Sequence, residues 1–192
     1  MRRSILVSVI PLLITATLAP AETRSVPGDH GTIQQAISVC SDRDVVVVGP
    51  GTYFETVNFL GKNIVVTSAD PGDPEIVAAT IIDGNGEGSV VTFENGETAE
   101  AVLTGFTISG GYGTAETTIP GAEYVFWGAG IYCRNSSPTI KGNVIMNNFG
   151  PLRAENDVPV AYGYGGGIAC AESSPLLPAT SSRTTRRTPA AG

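Results

Sequence analysis

Hydrophobic positions early in the chain follow the period of a helix. Four of them share one helix face: Ile33, Ala36, Ile37 and Cys40. Thr32 stands where this helix would begin, and a threonine there caps a helix because its side-chain oxygen accepts a backbone N–H of the first turn. The pattern predicts a short helix with one apolar face, which needs another part of the fold to cover.

After this segment the pattern changes to short β-branched runs. The runs occupy residues 45–48, 64–67, 80–82, 90–93 and 103–108. Turn residues separate them, chiefly glycine, proline, asparagine and aspartate, and no second helical pattern is visible between the predicted strands. This excludes βαβ units and leaves a sandwich, a barrel or a solenoid.

An internal repeat decides among these folds. The segment GAGIYC at 128–133 recurs as GGGIAC at 165–170, and Ser-Ser-Pro at 136–138 recurs at 173–175. The offset is 37 residues in both cases (170 − 133 and 175 − 138). Self-similarity at a fixed period is typical of a solenoid, in which each repeat buries its apolar edge against its neighbours.

Each repeat contains three predicted strands. In the first copy they lie at 131–133, 139–140 and 144–146, with turns between them. Stacking of the copies places Ile131 over Ile168 and Cys133 over Cys170 in interior ladders. Residues 151–161, with their prolines and charges, predict a loop extruded from the repeat.

Longer strings resemble a known class of protein. GAGIYCRNSSPTIKGNVIMNN followed by GGGIACAESSP resembles the repeats of bacterial exported right-handed β-helix proteins of the pectin-lyase-like superfamily. VPGDHGTIQQAISVC resembles the amino-terminal cap helix of that superfamily, and VVVVGPGTYFETV its first coil. The resemblance implies an all-β, right-handed parallel β-helix over residues 22–175, with a short N-terminal capping helix. It implies no activity, because the superfamily includes enzymes and proteins without known catalysis.

The amino terminus has the pattern of an export signal. Arg2 and Arg3 precede an apolar run at 5–18, and Ala-Pro-Ala at 19–21 supplies the small residues that signal peptidase reads. We therefore expect a signal peptide over residues 1–21 and a secreted, periplasmic or cell-surface protein. No later apolar run is long enough to cross a bilayer, so no transmembrane segment is expected in the mature chain.

Residues 176–192 depart from the repeat. They have no strand pattern and no asparagine, and they carry a cluster of basic residues typical of a disordered tail. A shifted reading of compatible codons, however, yields SSP-TI-x-GNVI-x-NN and a glycine run, which reproduces 136–148 and the start of the next coil. We therefore interpret 176–192 as a non-native, frameshifted remnant of that coil and the domain as C-terminally truncated.

The composition of the chain limits which partners and metals it is expected to bind. The net charge of −7 argues against nucleic acid, which selects basic surfaces. The single histidine, His30, has no partner at metal-ligand spacing, so no zinc site is expected. Cys133 and Cys170 form either a thiol ladder or a disulfide, and we expect thiols because ladder spacing alone does not secure disulfide geometry.

A polysaccharide lyase of the resembled superfamily would use calcium held by carboxylates and an arginine or lysine as base. The suggestive carboxylates are Asp70, Asp73 and Asp83, although turn chemistry alone accounts for them. The basic residues within the repeat are Arg134 and Lys141, and the charges of the extruded loop are Arg153, Glu155 and Asp157. No acid cluster or glycosidase pair is visible. We therefore name no catalytic residue and no cofactor, except calcium if the chain is a lyase.

Aromatic residues gather in two insertions around the repeat: Tyr112, Tyr124, Phe126, Trp127, Tyr162 and Tyr164. They could stack on sugar rings or pack the insertions onto the fold. Asn135-Ser136-Ser137 matches a glycosylation acceptor but recurs as a structural turn. We expect a non-catalytic exported scaffold that binds carbohydrate or cell-surface components, as a fragment of a longer protein. The alternative is a polysaccharide lyase or glycoside hydrolase whose active coils are missing or lie in the loops.

Overall fold

The computed structural model describes residues 20–116, 124–150, 153–155, 158–164, 166–178 and 180–183. Residues 1–19 of the expected signal peptide, and 184–192 of the expected tail, lie outside this part. The helices are α1 (Ile33–Val39) and α2 (Pro74–Ala79). The strands are β1 (Thr23–Val26), β2 (Val45–Val48), β3 (Gly51–Phe54), β4 (Val57–Asn58), β5 (Val65–Ser68), β6 (Thr80–Asp83), β7 (Val91–Phe93), β8 (Val102–Thr104), β9 (Thr107–Ser109), β10 (Thr114–Glu116), β11 (Tyr124–Trp127), β12 (Ile131–Arg134), β13 (Thr139–Lys141), β14 (Val144–Met146), β15 (Arg153–Glu155), β16 (Val158–Tyr164), β17 (Ile168–Ala171) and β18 (Ser181–Arg183).

The protein is mostly β-strand, and most strands lie in three parallel sheets. Sheet A has the order β1-β2-β5-β8-β13, sheet B has β3-β6-β9-β14-β18, and sheet C has β4-β7-β12-β17. From β2 to β17, consecutive strands of these three sheets fall in A, B and C in turn, and we call each such passage a circuit. The four circuits are β2-β3-β4, β5-β6-β7, β8-β9-β12 and β13-β14-β17. The expected three strands per repeat are thus confirmed.

The two copies of the sequence repeat lie in register. Ile131 pairs with Ile168 and Cys133 pairs with Cys170, in parallel strands of sheet C. The register of both predicted ladders is therefore confirmed, but their expected interior position holds only for the first copy, because Ile168 is partly exposed and Cys170 is exposed. Parallel pairing also fits the repeat, because identical side chains then stack directly along the direction of the backbone hydrogen bonds.

Columns of apolar side chains between the sheets form the core. The buried members are Val46, Val66, Leu103 and Ile140 from sheet A, Ile82, Ile108 and Ile145 from sheet B, and Val57, Val91 and Ile131 from sheet C. Each such side chain contributes roughly 1.5–3 kcal/mol by leaving water. The strands alternate buried and more exposed positions, so one face of each sheet points to this core and the other to the surface.

Helix α1 covers one end of the stack, as its single apolar face predicts. Ile33, Ala36 and Ile37 are buried in the core cluster, and the Thr32 hydroxyl accepts the Gln35 N–H at 3.1 Å. The Gln34 amide bonds both the N–H and the carbonyl of Asn58, at 2.7 and 3.2 Å. Strand β4 begins sheet C, so this side chain occupies the hydrogen-bonding groups that an exposed strand edge would leave open.

The sequence analysis missed helix α2. The expectation of no second helix is wrong because α2 spans six residues, too few for an apolar period to show. Its start has clear local causes, since the Asp73 carboxylate accepts the Glu75 N–H at 2.8 Å and Pro74 occupies the first turn. The helix connects sheet A to sheet B, so it does not create a βαβ unit within one sheet.

The predicted strand at 103–108 is in fact two strands. Strand β8 lies in sheet A and β9 in sheet B, and the chain bends between them at Gly105, where φ is +82°. A Cβ at Gly105 would overlap Ser68 and Pro71 of the preceding circuit. The continuous apolar run hid this corner, which needs both a positive φ and a residue without a side chain.

Two insertions form a fourth sheet at the side of the stack. Sheet D has the order β10-β11-β16-β15, with β11 and β16 parallel and the two outer pairs antiparallel. The insertion at 151–161, predicted as a loop extruded from the repeat, includes β15 and the first part of β16 among its described residues. Both insertions leave the stack between sheets B and C, in successive circuits, which brings their strands side by side.

The tail continues the stacking where the structure describes it. Leu176 bridges to Thr139 of sheet A, and β18 pairs with β14, Ser181 facing Val144. The expectation of no strand in the tail is wrong for 181–183. Both pairings keep the offset of the sequence repeat (176 − 139 and 181 − 144), and the frameshift interpretation stays a prediction.

Neither helix in the described part of the chain has the length and apolar character required to cross a membrane.

Candidate binding cleft

A polar cleft lies where the outer face of sheet C meets sheet D. It has a volume of about 250 Å³ and is lined by Thr56, Val57, Asn58, Glu87, Gly88, Ser89, Thr92 and Thr114. These residues come from three successive circuits. Apart from one valine and one glycine, the lining carries hydroxyl, amide or carboxyl groups.

The floor of the cleft follows from strand alternation. Asn58 and Thr92 are register partners in β4 and β7, and both are partly exposed. Their neighbours Val57 and Val91 are buried in the core. Because successive side chains point to opposite faces of a strand, the polar pair faces outward while the valines face inward.

Hydrogen bonds hold the wall of the cleft in place. The hydroxyls of Ser89 and Thr114 lie 2.8 Å apart, and the Ser89 hydroxyl also donates to the Trp127 carbonyl at 3.1 Å. The backbone N–H groups of Tyr112 and Gly113 both donate to the Gly88 carbonyl at 2.8 Å. The turn between β6 and β7 is therefore bonded to sheet D, and the polar groups of the cleft are positioned before any ligand arrives.

Acidic side chains flank the cleft. Glu87 is exposed on its lining, and the exposed Glu94 accepts a 2.9 Å hydrogen bond from the Asn58 amide. Arg134 is exposed on β12, one residue past the register pair Phe93 and Cys133. This end of sheet C therefore presents carboxylates beside the hydroxyl and amide groups, with one guanidinium further along the stack.

The three predicted aspartates serve the backbone around them. Asp70 accepts the Gly72 N–H at 3.0 Å, and Asp73 caps α2. Asp83 accepts the Asn85 N–H at 2.8 Å and the Ser109 hydroxyl at 3.2 Å. Within the described residues, no three histidine, cysteine or acidic side chains converge as a metal site would require.

The two basic residues predicted within the repeat lie on different sheets. Arg134 and Lys141 are both exposed but lie on sheets C and A, respectively. Arg153 and Glu155 belong to β15, whose side chains lie outside the described part, and Asp157 lies outside it altogether. The cleft thus shares none of its lining residues with the candidates that sequence reasoning selected.

Two of the predicted aromatics pack against each other. The rings of Tyr112 and Phe126 meet edge to face, with centroids 5.6 Å apart, and 43% of Tyr112 is exposed. This supports the packing role, since such pairs stabilise a fold beyond the area they bury. Trp127 is partly buried on the strand whose carbonyl bonds Ser89. The side chains of Tyr124, Tyr162 and Tyr164 lie outside the described part.

The glycosylation motif is a structural turn here. Asn135 is exposed with φ of +50°, a conformation that asparagine tolerates in turns. Ser136 is buried and donates to the Glu97 carboxylate at 2.7 Å. Glu97 is itself buried and also accepts the N–H groups of Gly61 and Asn95, at 2.8 and 2.9 Å. Sequence reasoning missed this buried carboxylate, which joins three circuits at the corner between sheets C and A.

No protein-family model matches the chain, and neither curated proteins nor solved structures provide a match. The structure alone therefore defines the class of the chain, which is an all-β protein of stacked parallel strands with a polar cleft on one outer face.

Proposed function

We propose that the chain is a right-handed parallel β-helix of an exported, non-catalytic protein that binds carbohydrate through the cleft on sheet C. The fold part of the proposal is supported by the repeated passage through sheets A, B and C and by in-register stacking. Connections between parallel strands are overwhelmingly right-handed, which favours that hand. The amino-terminal pattern of the sequence supports export.

The observation that carries the binding function is the lining of the cleft. Hydroxyl groups of Thr56, Thr92 and Thr114, with the Asn58 amide, offer donors and acceptors close together. The hydroxyl groups of a sugar ring both donate and accept hydrogen bonds, and preformed polar groups in a pocket fix the orientation of a bound ring. The volume lies just below the roughly 300–1,000 Å³ of pockets for drug-sized ligands, which suits one sugar ring.

Charge favours a neutral glycan over an acidic one. Glu87 lines the cleft and Glu94 lies beside it, and the chain as a whole carries a net charge of −7. Each carboxylate of a polyuronate would meet like charge at this surface, an unfavourable Coulomb interaction that salt screens only partly at short range. We therefore expect neutral polysaccharides to bind more tightly than pectate or alginate.

Isothermal titration calorimetry with neutral and acidic oligosaccharides tests the proposal. Thr92→Phe fills the cleft from its floor and is expected to abolish binding, while Glu87→Gln is expected to weaken discrimination against uronates. Thr52→Phe is the matched control, since Thr52 is exposed on β3 of sheet B. Equal affinity of the two phenylalanine variants would show that the cleft is not the binding site.

Depolymerisation assays on the same polymers, with and without calcium, separate binding from catalysis. A non-catalytic scaffold binds without releasing products. Product formation would replace this proposal with the alternative from the sequence, a polysaccharide lyase or glycoside hydrolase. Calcium dependence of that activity would then favour the lyase, whose metal neutralises the uronate carboxylate.

A further inference from the structure

Two cysteines of neighbouring circuits stand side by side in sheet C. Cys133 of β12 and Cys170 of β17 are register partners in parallel strands. Such strands lie about 4.8 Å apart, which falls within the roughly 4.4–6.8 Å that separates the Cα atoms of disulfide-linked residues. A hydrogen bond joins the two side chains. All three cysteines described are free thiols.

The two thiols differ in their access to solvent. Cys133 is completely buried and stacks above Phe93 in the core column, whereas Cys170 is exposed. Phe93 in turn stacks on Phe59, with ring centroids 4.2 Å apart, so the column below Cys133 is apolar. A reagent from solvent therefore meets Cys170 first, and Cys133 reacts only through its neighbour.

The pKa shifts of the two thiols indicate the same order of reaction. Burial raises the pKa of the Cys133 thiol strongly, and the nearby Cys170 raises it further. Burial also raises the pKa of Cys170, but the hydrogen bond from Cys133 acts in the opposite direction. Because the thiolate is the nucleophile in thiol chemistry, Cys170 is the attacking group and Cys133 the second to react.

We propose that Cys133 and Cys170 form a redox modification site, which a low-molecular-weight disulfide converts to an intramolecular disulfide between β12 and β17. The Cys170 thiolate attacks one sulfur of the external disulfide, whose S–S bond breaks and releases one small thiolate. Cys133 then loses its proton and attacks the Cys170 sulfur, which expels the second small thiolate. The protein loses two hydrogens, and the external disulfide is reduced to two thiols.

The bond would fasten the last described strand of sheet C. Strand β17 pairs only with β12 within the described residues, whereas β7 and β12 each have a partner strand on both sides. A covalent link at Cys133 restricts separation of these two strands in the unfolded and partly opened chain. Oxidation is therefore expected to slow proteolysis within residues 168–183 without changing the earlier circuits.

Oxidised glutathione is the probe, applied to the full chain in buffers of graded glutathione potential. We expect peptide mapping without reductant to show a Cys133–Cys170 link, with intact mass lower by two hydrogens and no retained glutathione. Cys40→Ser is the matched control, since Cys40 lies elsewhere in the buried core, and it should oxidise like the wild type. Cys133→Ser should instead trap glutathione on Cys170.

Several results would overturn the proposal. A stable glutathione adduct on Cys170 of the wild type would show that Cys133 cannot reach it. The proposal would also be contradicted by a covalent dimer linked through Cys170. It would be contradicted as well if Cys133 and Cys170 stayed unreacted under conditions that fully oxidise a denatured control. If Cys133→Ser does not fold, as judged by circular dichroism, Cys133→Ala serves instead, and the wild-type peptide map alone decides the site.

Discussion

Replacement of Asn143 by alanine tests whether buried side-chain amides hold successive circuits together. Asn143 is buried at the corner between sheets A and B. Its carbonyl oxygen accepts the Phe106 N–H at 2.9 Å, and its NH₂ group donates to the Leu103 carbonyl at 3.0 Å. Both backbone groups belong to the preceding circuit, where Leu103 lies in β8 and Phe106 directly precedes β9.

The cost follows from the two groups that lose their partners. A buried backbone donor or acceptor left unsatisfied costs about 1–3 kcal/mol, so Asn143→Ala removes roughly 2–6 kcal/mol from the free energy of unfolding. Water entering the space left by the shorter side chain would place the loss in the lower half of that range. Domains are typically stable by only about 5–15 kcal/mol, so the change is a large fraction of the total.

Urea unfolding, followed by far-ultraviolet circular dichroism and by the fluorescence of the single tryptophan, measures the effect. With a urea dependence of about 2 kcal/mol per molar, the middle of the usual range, the midpoint should fall by about 1–3 M. Lys141→Ala is the control, because Lys141 is exposed two residues away and should change stability by no more than about 0.5 kcal/mol. Equal losses in the two variants would refute the role of the amide.

Substitutions at three further positions probe other parts of the fold. Glu97→Ala should lower the free energy of unfolding, measured in urea, by about 2–5 kcal/mol, because the buried Ser136 hydroxyl and the backbone N–H groups of Gly61 and Asn95 lose their shared acceptor. Glu97→Gln should cost less, because its side-chain carbonyl can keep part of these hydrogen bonds. Asp44 accepts the N–H groups of Glu22 and Ser41, which hold the pKa of its carboxyl below the ordinary 3.8. The stability that Asp44 contributes is therefore fully present above that ordinary pKa and is lost as the pH falls through the lower pKa of the folded state. Asp44→Asn should make the melting temperature fall less steeply as the pH is lowered. Melting temperatures that fall in parallel for the wild type and the variant would contradict this. The Thr180 hydroxyl donates to the Ile140 carbonyl at 3.0 Å, as the Asn143 amide donates to the Leu103 carbonyl one circuit earlier. Thr180→Asn should therefore raise the free energy of unfolding by about 1 kcal/mol. A loss of stability would contradict the equivalence of the two positions.

The last substitution bears on the frameshift interpretation of the tail. The offset from Asn143 to Thr180 equals the repeat offset, and the shifted reading frame permits asparagine at 180. The shifted frame also permits valine and isoleucine at 181 and 182, which pair with Val144 and Ile145. Nucleotide sequence across Pro175 tests this interpretation, and codons that do not spell these residues in the shifted frame would end it.

Local sequence patterns determined the strand positions, the α1 cap and the stacking of the two repeat copies. Side-chain alternation and helical spacing are properties of neighbouring residues, so they are visible without the fold. The register of Ile131 and Cys133 with the second copy was equally predictable, because similar segments at a constant offset repeat the same conformation. The short helix α2 and the corner at Gly105 were not, since each depends on one or two residues in a specific backbone state.

Only the tertiary structure decided the cleft. Its floor joins Asn58 to Thr92 across 34 residues (92 − 58), whereas the next pair in the same row, Thr92 and Tyr132, is separated by 40 (132 − 92). Turns and insertions of different length set these separations, so no constant period shows which outward side chains become neighbours. The wall depends further on how two insertions pair with each other outside the stack. The sequence alone therefore determined most strands of the three parallel sheets and which of their faces is apolar, while the meeting of polar groups from three circuits required the folded chain.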